Sequence, residues 1–136
     1  MKKILTFGVF DMMHVGHVKL FQKAKESMEG VYLIVAVQDS NSVLKYKPDT
    51  VLVNSLEERF FMVQSVKYVD EVVVYNDVYV DIKNIDFDVL AKGPDQNHEG
   101  FKAAEKWCLE NNKEILVISR TEGISSEMIR YIKKYK

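Results

Sequence analysis

The chain has 136 residues, which is the usual size of one domain and enough to bury a core. Its composition, 47% hydrophobic and 29% charged, is that of an ordinary soluble protein and excludes an intrinsically disordered chain. Nineteen Lys and Arg residues oppose twenty Asp and Glu residues, for a formal net charge of −1. This balance argues against a nucleic-acid-binding or acidic-membrane-binding protein.

The first strand is predicted at residues 4–9, and the first helix at 16–28, where apolar residues recur at mostly three-to-four spacing. The second strand is the continuous apolar run at 31–37, which is typical of a strand covered on both faces. A capping box at 55–58 opens the next helix, and the third strand is predicted at 71–75.

A short helix is predicted at 80–85, the fourth strand at 87–91 and a further helix at 98–111. The fifth strand is predicted at 115–118, and a last helix from residue 125 or 126 towards 131. Because strands alternate with helices, we predict an α/β fold, a five-stranded parallel sheet with helices on both faces, in a single domain of residues 1–136.

No apolar run approaches the roughly 18–20 residues of a membrane span, and the N-terminal segment lacks a signal-peptide cleavage site. We therefore expect a cytoplasmic protein that does not bind membranes. The single Cys108 cannot form an internal disulfide, and there is no cysteine cluster for a structural zinc ion.

Ligands of parallel sheets bind beyond the carboxyl ends of the strands. Unusual residues gather at three such ends, in the segments 8–17, 92–97 and 119–126. Lys45 and Lys47 follow the second strand in a predicted polar loop. We therefore expect one ligand site along this edge of the sheet.

The segment 8–17 has the features of a phosphate site. Gly8 allows a ligand to approach the backbone, and Gly16 opens a helix whose first amides are expected to lack partners. His14 and His17 lie one turn apart, so both imidazoles can donate hydrogen bonds to the same anion. A metal site would need further ligands, which we do not find at useful spacing, and a structural histidine pair is the other alternative.

The string Gly-Val-Phe-Asp-Met-Met-His-Val-Gly-His at 8–17 resembles the HxGH signature of the nucleotidylyltransferase superfamily, in its cytidylyltransferase branch. The segment Arg-Thr-Glu-Gly-Ile-Ser-Ser at 120–126 is similar to the second motif of glycerol-3-phosphate cytidylyltransferases. The likeness covers nearly the whole chain and implies a Rossmann-like three-layer sandwich. Pro94 and Gln96 depart from the pattern of those enzymes.

The resemblance assigns residues to three roles. It implies CTP binding by Gly8, Val9, Phe10, His14, Gly16, His17, Asp95, Arg120, Thr121, Gly123, Ile124, Ser125 and Ser126. It implies catalysis by His14, His17, Lys45 and Arg120. It implies acceptor binding by Asp11, Lys45, Lys47 and Arg59. Lys67, at the position of a family arginine, and His98 remain without an assigned role.

The implied reaction joins CTP to a small phosphorylated acceptor and releases pyrophosphate, for cell-surface polymer (teichoic acid or capsule) or lipid precursor synthesis. Glycerol 3-phosphate is the default acceptor, with another polyol phosphate or a phosphorylated amino acid such as glutamine phosphate as alternatives. Mg²⁺ is expected to arrive with CTP and not at a dedicated protein site. A homodimer is also implied. An ATP-dependent adenylyltransferase, a non-catalytic nucleotide-binding regulator and a pure interaction domain are the competing hypotheses.

Overall fold

The computed structural model describes residues 1–119, so the predicted last helix lies outside the described residues. The described strands are β1 Lys2–Gly8, β2 Val31–Gln38, β3 Glu71–Tyr75, β4 Val89–Lys92 and β5 Glu114–Val117. The described helices are α1 Val15–Glu26, α2 Ser40–Tyr46, α3 Leu56–Gln64, α4 Val78–Asp81 and α5 Glu99–Glu110, with a short 3₁₀ helix Ile82–Asn84 after α4.

The five strands form one parallel sheet in the order β3-β2-β1-β4-β5. The chain builds the sheet outwards from β1 to β3, then crosses back to add β4 on the other side of β1. The strand order therefore reverses between β1 and β4, where a crevice opens at the carboxyl edge of an α/β sheet.

Alternating side chains of β2 explain why both faces of the sheet are covered. Leu33, Val35 and Val37 belong to a core cluster with α1 and α3, whereas Ile34 and Ala36 belong to a second cluster with α4 and α5. A strand that is apolar on both faces needs a helical layer on each side. The prediction of a parallel sheet between two helical layers is confirmed. Within residues 1–119, no helix is long and apolar enough to cross a membrane.

Local hydrogen bonds set the starts of two helices. The predicted capping box of α3 is present, because Ser55 Oγ accepts the Glu58 N–H at 3.1 Å and Glu58 accepts the Ser55 N–H at 2.9 Å. Helix α2 was not predicted from the sequence. Asp39 caps it by accepting the Asn41 N–H, so Lys45 lies in a helix and not in a polar loop, and Lys47 follows the helix end.

Candidate functional site

His14 and His17 form a stacked pair at the start of α1. His14 is the residue before the first helical residue, and its Nδ1 accepts the Gly16 N–H at 3.0 Å. Nδ1 of His17 accepts the His14 N–H at 3.1 Å, and the two ring centroids lie 4.0 Å apart. Because each Nδ1 accepts a backbone N–H, the proton of each neutral ring lies on Nε2. The pair therefore carries Nε2–H donors.

The same bonds correct the expectation of free amides at this helix end. The N–H groups of His14 and Gly16 are engaged by imidazole nitrogens, and the His17 N–H donates to the His14 carbonyl at 3.0 Å. These three amides are therefore already hydrogen-bonded. An anion at this helix end would meet the imidazole Nε2–H groups. The sequence did not predict these bonds, because helix caps are usually Ser, Thr, Asp or Asn, and here imidazole side chains take that role.

His17 is electrically neutral at ordinary pH. Burial, and secondly the neighbouring His14, lower the pKa of His17 from 6.5 to about 4. The Phe10 ring meets the His17 ring edge-on, at 5.5 Å between centroids. His17 can therefore donate a hydrogen bond to a phosphoryl oxygen without first losing or gaining a proton.

Gly8 makes room for the Phe10 ring. A Cβ at Gly8 would lie 2.6 Å from the tip of that ring. Phe10 as a whole residue is only 4% exposed. Phe10 and Met12 both have positive φ angles, 55° and 50°, and both are buried. Non-glycine residues rarely adopt such angles, so surrounding contacts must hold this loop.

Asp11, between those two residues, supplies such contacts. Its carboxylate is 3% exposed and accepts the N–H groups of Val53 at 3.0 Å and Asn54 at 2.8 Å. Asn54 in turn accepts the Met12 N–H through its side-chain oxygen at 3.0 Å. These bonds tie the loop before α1 to the loop before α3. The structure thus gives Asp11 a positioning role. Its contact with the acceptor stays a prediction.

Arg59 is fully enclosed at 0% exposure. Its guanidinium donates to the carbonyls of Val9 at 3.0 Å and Gln38 at 2.7 Å, which lie just beyond β1 and at the end of β2. It also donates to the Asn54 carbonyl at 3.3 Å and Ser40 Oγ at 2.8 Å. Arg59 therefore holds together the segments that surround the site. Its contact with the acceptor stays a prediction.

A cavity of about 620 Å³ lies at the carboxyl edge of the sheet, bounded by α2, α4 and the start of α5. Its volume is that of a pocket for a drug-sized ligand. Four of the predicted site residues line it, namely Gly8, Val9, Lys47 and Asp95. Its polar lining also includes Gln38, Tyr46, Tyr75, Asp77, Gln96, His98 and Glu99. Val43, Val78 and Phe101 supply apolar surface.

Sequence reasoning missed several polar residues of this lining, among them Gln38 and Tyr75. Gln38 ends β2 and Tyr75 ends β3, so the rule about carboxyl ends of strands, applied to all strands, would have found both. Gln96 was noted only as a departure from a pattern. Its amide donates to the Phe7 carbonyl at 2.8 Å and accepts the Gly93 N–H at 3.1 Å, which attaches the loop after β4 to β1.

The remaining predicted residues differ in placement. Lys45 is exposed on α2, with Nζ 5.7 Å from the centroid of the Tyr46 ring. Lys67 is exposed and lies over the Tyr68 ring. His98 caps α5 and lines the cavity. Outside the described residues lie Arg120, Thr121, Gly123, Ile124, Ser125 and Ser126.

The described part of the chain holds no cluster of three or more His, Cys, Asp or Glu side chains that could bind a metal ion. The arrival of Mg²⁺ with CTP stays a prediction.

The chain is similar in sequence to two kinds of known enzyme. Glycerol-3-phosphate cytidylyltransferase of Staphylococcus aureus is 34% identical over 134 residues, covering 96% of this chain and 93% of that enzyme. FAD synthase of Thermococcus kodakarensis is 36% identical over 137 residues, covering 98% of this chain and 82% of that enzyme. Two relatives of comparable identity thus carry names that imply different acceptors.

The fold also matches a solved structure, that of a lipopolysaccharide core biosynthesis protein from Thermoplasma volcanium. The two share a TM-score of 0.74 over 90% of this chain and 99% of that one, at 20% sequence identity. The sequence model of the cytidylyltransferase-like family matches residues 5–132. The chain therefore belongs to the cytidylyltransferase-like family and is a nucleotidyltransferase.

Proposed function

We propose that the protein transfers a cytidylyl group from CTP to a small phosphorylated acceptor, with release of pyrophosphate. The observation that carries this proposal is the stacked His14–His17 pair, held in its Nε2–H form at the start of α1. Preoriented donors of this kind suit a phosphoryl group whose charge increases during reaction, and burial keeps His17 neutral by lowering its pKa to about 4. The relatives named as glycerol-3-phosphate cytidylyltransferases make CTP and glycerol 3-phosphate the default substrates.

The reaction requires alignment more than acid–base chemistry. A phosphate monoester carries roughly 1.5–2 negative charges at neutral pH, so its oxygen can attack without a general base. The attacking oxygen forms a bond to the α-phosphorus of CTP while the bond to the β-phosphate oxygen breaks, and pyrophosphate leaves. In our proposal His14 and His17 donate hydrogen bonds to the phosphoryl oxygens as charge develops.

Cationic side chains would hold the remaining phosphates. Lys47, in the cavity lining just after α2, and Lys45 on α2 would attract the acceptor phosphate. The family resemblance places the β- and γ-phosphates against Arg120 and the segment 121–126, and the nucleoside near Asp95. Mg²⁺ bound to the triphosphate would neutralise part of its charge.

An ATP-dependent adenylyltransferase is the second candidate, because FAD synthases are among the relatives of comparable identity. Pyrophosphate release measured with CTP or ATP, Mg²⁺ and a panel of phosphate esters separates the two. Release with CTP and a polyol phosphate supports our proposal, whereas release with ATP and flavin mononucleotide supports the second. Tight CTP binding without pyrophosphate from any ester would indicate a non-catalytic regulator and refute both.

The proposal includes a setting for the enzyme. We propose that it acts in the cytoplasm as a homodimer and supplies a CDP-linked precursor for a cell-surface polymer (teichoic acid or capsule) or a lipid. Sedimentation equilibrium of the purified protein tests the dimer, and a monomer at all concentrations would refute it.

A further inference from the structure

Tyr75 is held rigidly in the wall of the cavity. It is the last residue of β3, and only 4% of its surface is exposed. Its ring packs edge-on against the Phe7 ring, with centroids 4.8 Å apart and an interplanar angle of 78°. Tyr75 also lines the 620 Å³ cavity. The ring position is therefore fixed by the core, and its small exposed part faces the cavity.

Within residues 1–119 the Tyr75 hydroxyl takes part in no side-chain hydrogen bond, and it is not among the fully buried polar atoms that lack a partner, so it keeps access to the cavity. A hydroxyl that reaches the cavity from a fixed ring can donate to or accept from a bound molecule. Burial raises the pKa of Tyr75 far above its ordinary value of 10. The group therefore keeps its proton, and it can donate and accept hydrogen bonds at any working pH.

The position of Tyr75 in the sheet indicates which substrate it would meet. The His pair follows β1, and Asp95, predicted to contact the nucleoside, follows β4. Tyr75 and Lys47 lie on the opposite side, around β2 and β3, and both line the cavity. This side is left for the acceptor, with Lys47 near its phosphate.

We propose that the Tyr75 hydroxyl is a specificity-determining group that hydrogen-bonds a hydroxyl of the phosphorylated acceptor. The inference rests on the proposed function and narrows its substrate to phosphate esters that carry at least one hydroxyl. A phenylalanine would fill the same space beside Phe7, so the hydroxyl adds recognition and no packing. A site that hydrogen-bonds a substrate hydroxyl discriminates against analogues that lack it.

The test compares three phosphate esters with three forms of the protein. Glycerol 3-phosphate and ribitol 5-phosphate carry free hydroxyls, whereas n-propyl phosphate carries none. Their dissociation constants are measured by calorimetry, without CTP, for the wild type, Tyr75→Phe and Tyr79→Phe. Tyr79 lies on α4 outside the cavity lining, so its variant is the matched control.

We expect Tyr75→Phe to weaken binding of the preferred polyol phosphate roughly 3- to 10-fold and to change n-propyl phosphate binding less than about twofold. Tyr79→Phe should bind all three esters as the wild type does. The melting temperature of Tyr75→Phe should equal or exceed that of the wild type, because no described hydrogen bond is lost. A lower melting temperature would indicate a structural hydroxyl and contradict the proposal.

The remaining outcomes separate this inference from the proposed reaction. Unchanged discrimination in Tyr75→Phe refutes the role of Tyr75 even if CTP yields pyrophosphate. Lost discrimination without pyrophosphate release supports Tyr75 and refutes cytidylyl transfer. If none of the three esters binds the wild-type protein, the cavity is not an acceptor site and the inference fails with it.

Discussion

Replacing Arg59 with methionine tests whether this residue organises the site or binds substrate. The substitution removes four hydrogen bonds, to the carbonyls of Val9, Gln38 and Asn54 and to Ser40 Oγ. Bonds to a charged donor contribute about 1.5–3 kcal/mol each, but the enclosed guanidinium costs solvation energy. Because Arg59→Met leaves buried acceptors unpaired, at about 1–3 kcal/mol each, but also removes that solvation cost, we expect a net loss of about 3–5 kcal/mol.

For a chain of this length, that loss lowers the melting temperature by about 10–20 °C, which calorimetry or circular dichroism can measure. Lys45→Gln is the matched control, because Lys45 is an exposed cation with a predicted role in acceptor binding. Its melting temperature should stay within about 2 °C of the wild type, since exposed charges contribute little to stability. An Arg59→Met protein with wild-type stability and only a raised KM for the acceptor would refute the positioning role.

Three further predictions follow from the loop before α1 and its histidines. Gly8→Ala should destabilise the protein by about 1–3 kcal/mol in urea unfolding, because the new Cβ overlaps the Phe10 ring, whereas Gly93→Ala, with open space around it, should be near neutral. Because the folded pKa of His17 is about 4 and its ordinary value is 6.5, the unfolded chain binds the proton first. Stability should therefore fall by up to about 3 kcal/mol as the pH decreases from about 6.5 to 4, and His17→Asn should lack this loss. His14→Ala should lower turnover of CTP at least about 100-fold, and near-normal pyrophosphate release would contradict its assignment.

The strands could be predicted from the sequence because their apolar runs are dense enough to be covered on both faces. The run at 31–37 corresponds to β2, Val31–Gln38. Every position of the run is apolar because neighbouring residues such as Leu33 and Ile34 belong to core clusters on opposite faces of the sheet. Helix α2 was missed because its short sequence has a single buried residue, Val43. Its start depends on Asp39 and on a hydrogen bond that Ser40 accepts from the distant Arg59.

The residues of the site were easier to identify than their roles. The spacing of His14 and His17 was enough to place both rings at one helix end. The sequence did not show that Tyr75 lines the cavity, because a tyrosine in a strand can either pack in the core or contact a ligand. Its role depends on the cavity between α2, α4 and α5, which no local pattern encodes.

Asp11 and Arg59 show how buried side chains can hold the backbone around a candidate site in place. Asp11 holds the backbone at Val53 and Asn54, and Arg59 donates to the Asn54 carbonyl from the opposite direction. The two side chains therefore fix a common loop, while Arg59 also binds the carbonyl of Val9. Two buried charged side chains, Asp11 and Arg59, thus hold the geometry of the loops that they join. Loss of either Asp11 or Arg59 should move the His pair relative to the cavity, and so reduce kcat more than affinity for the acceptor.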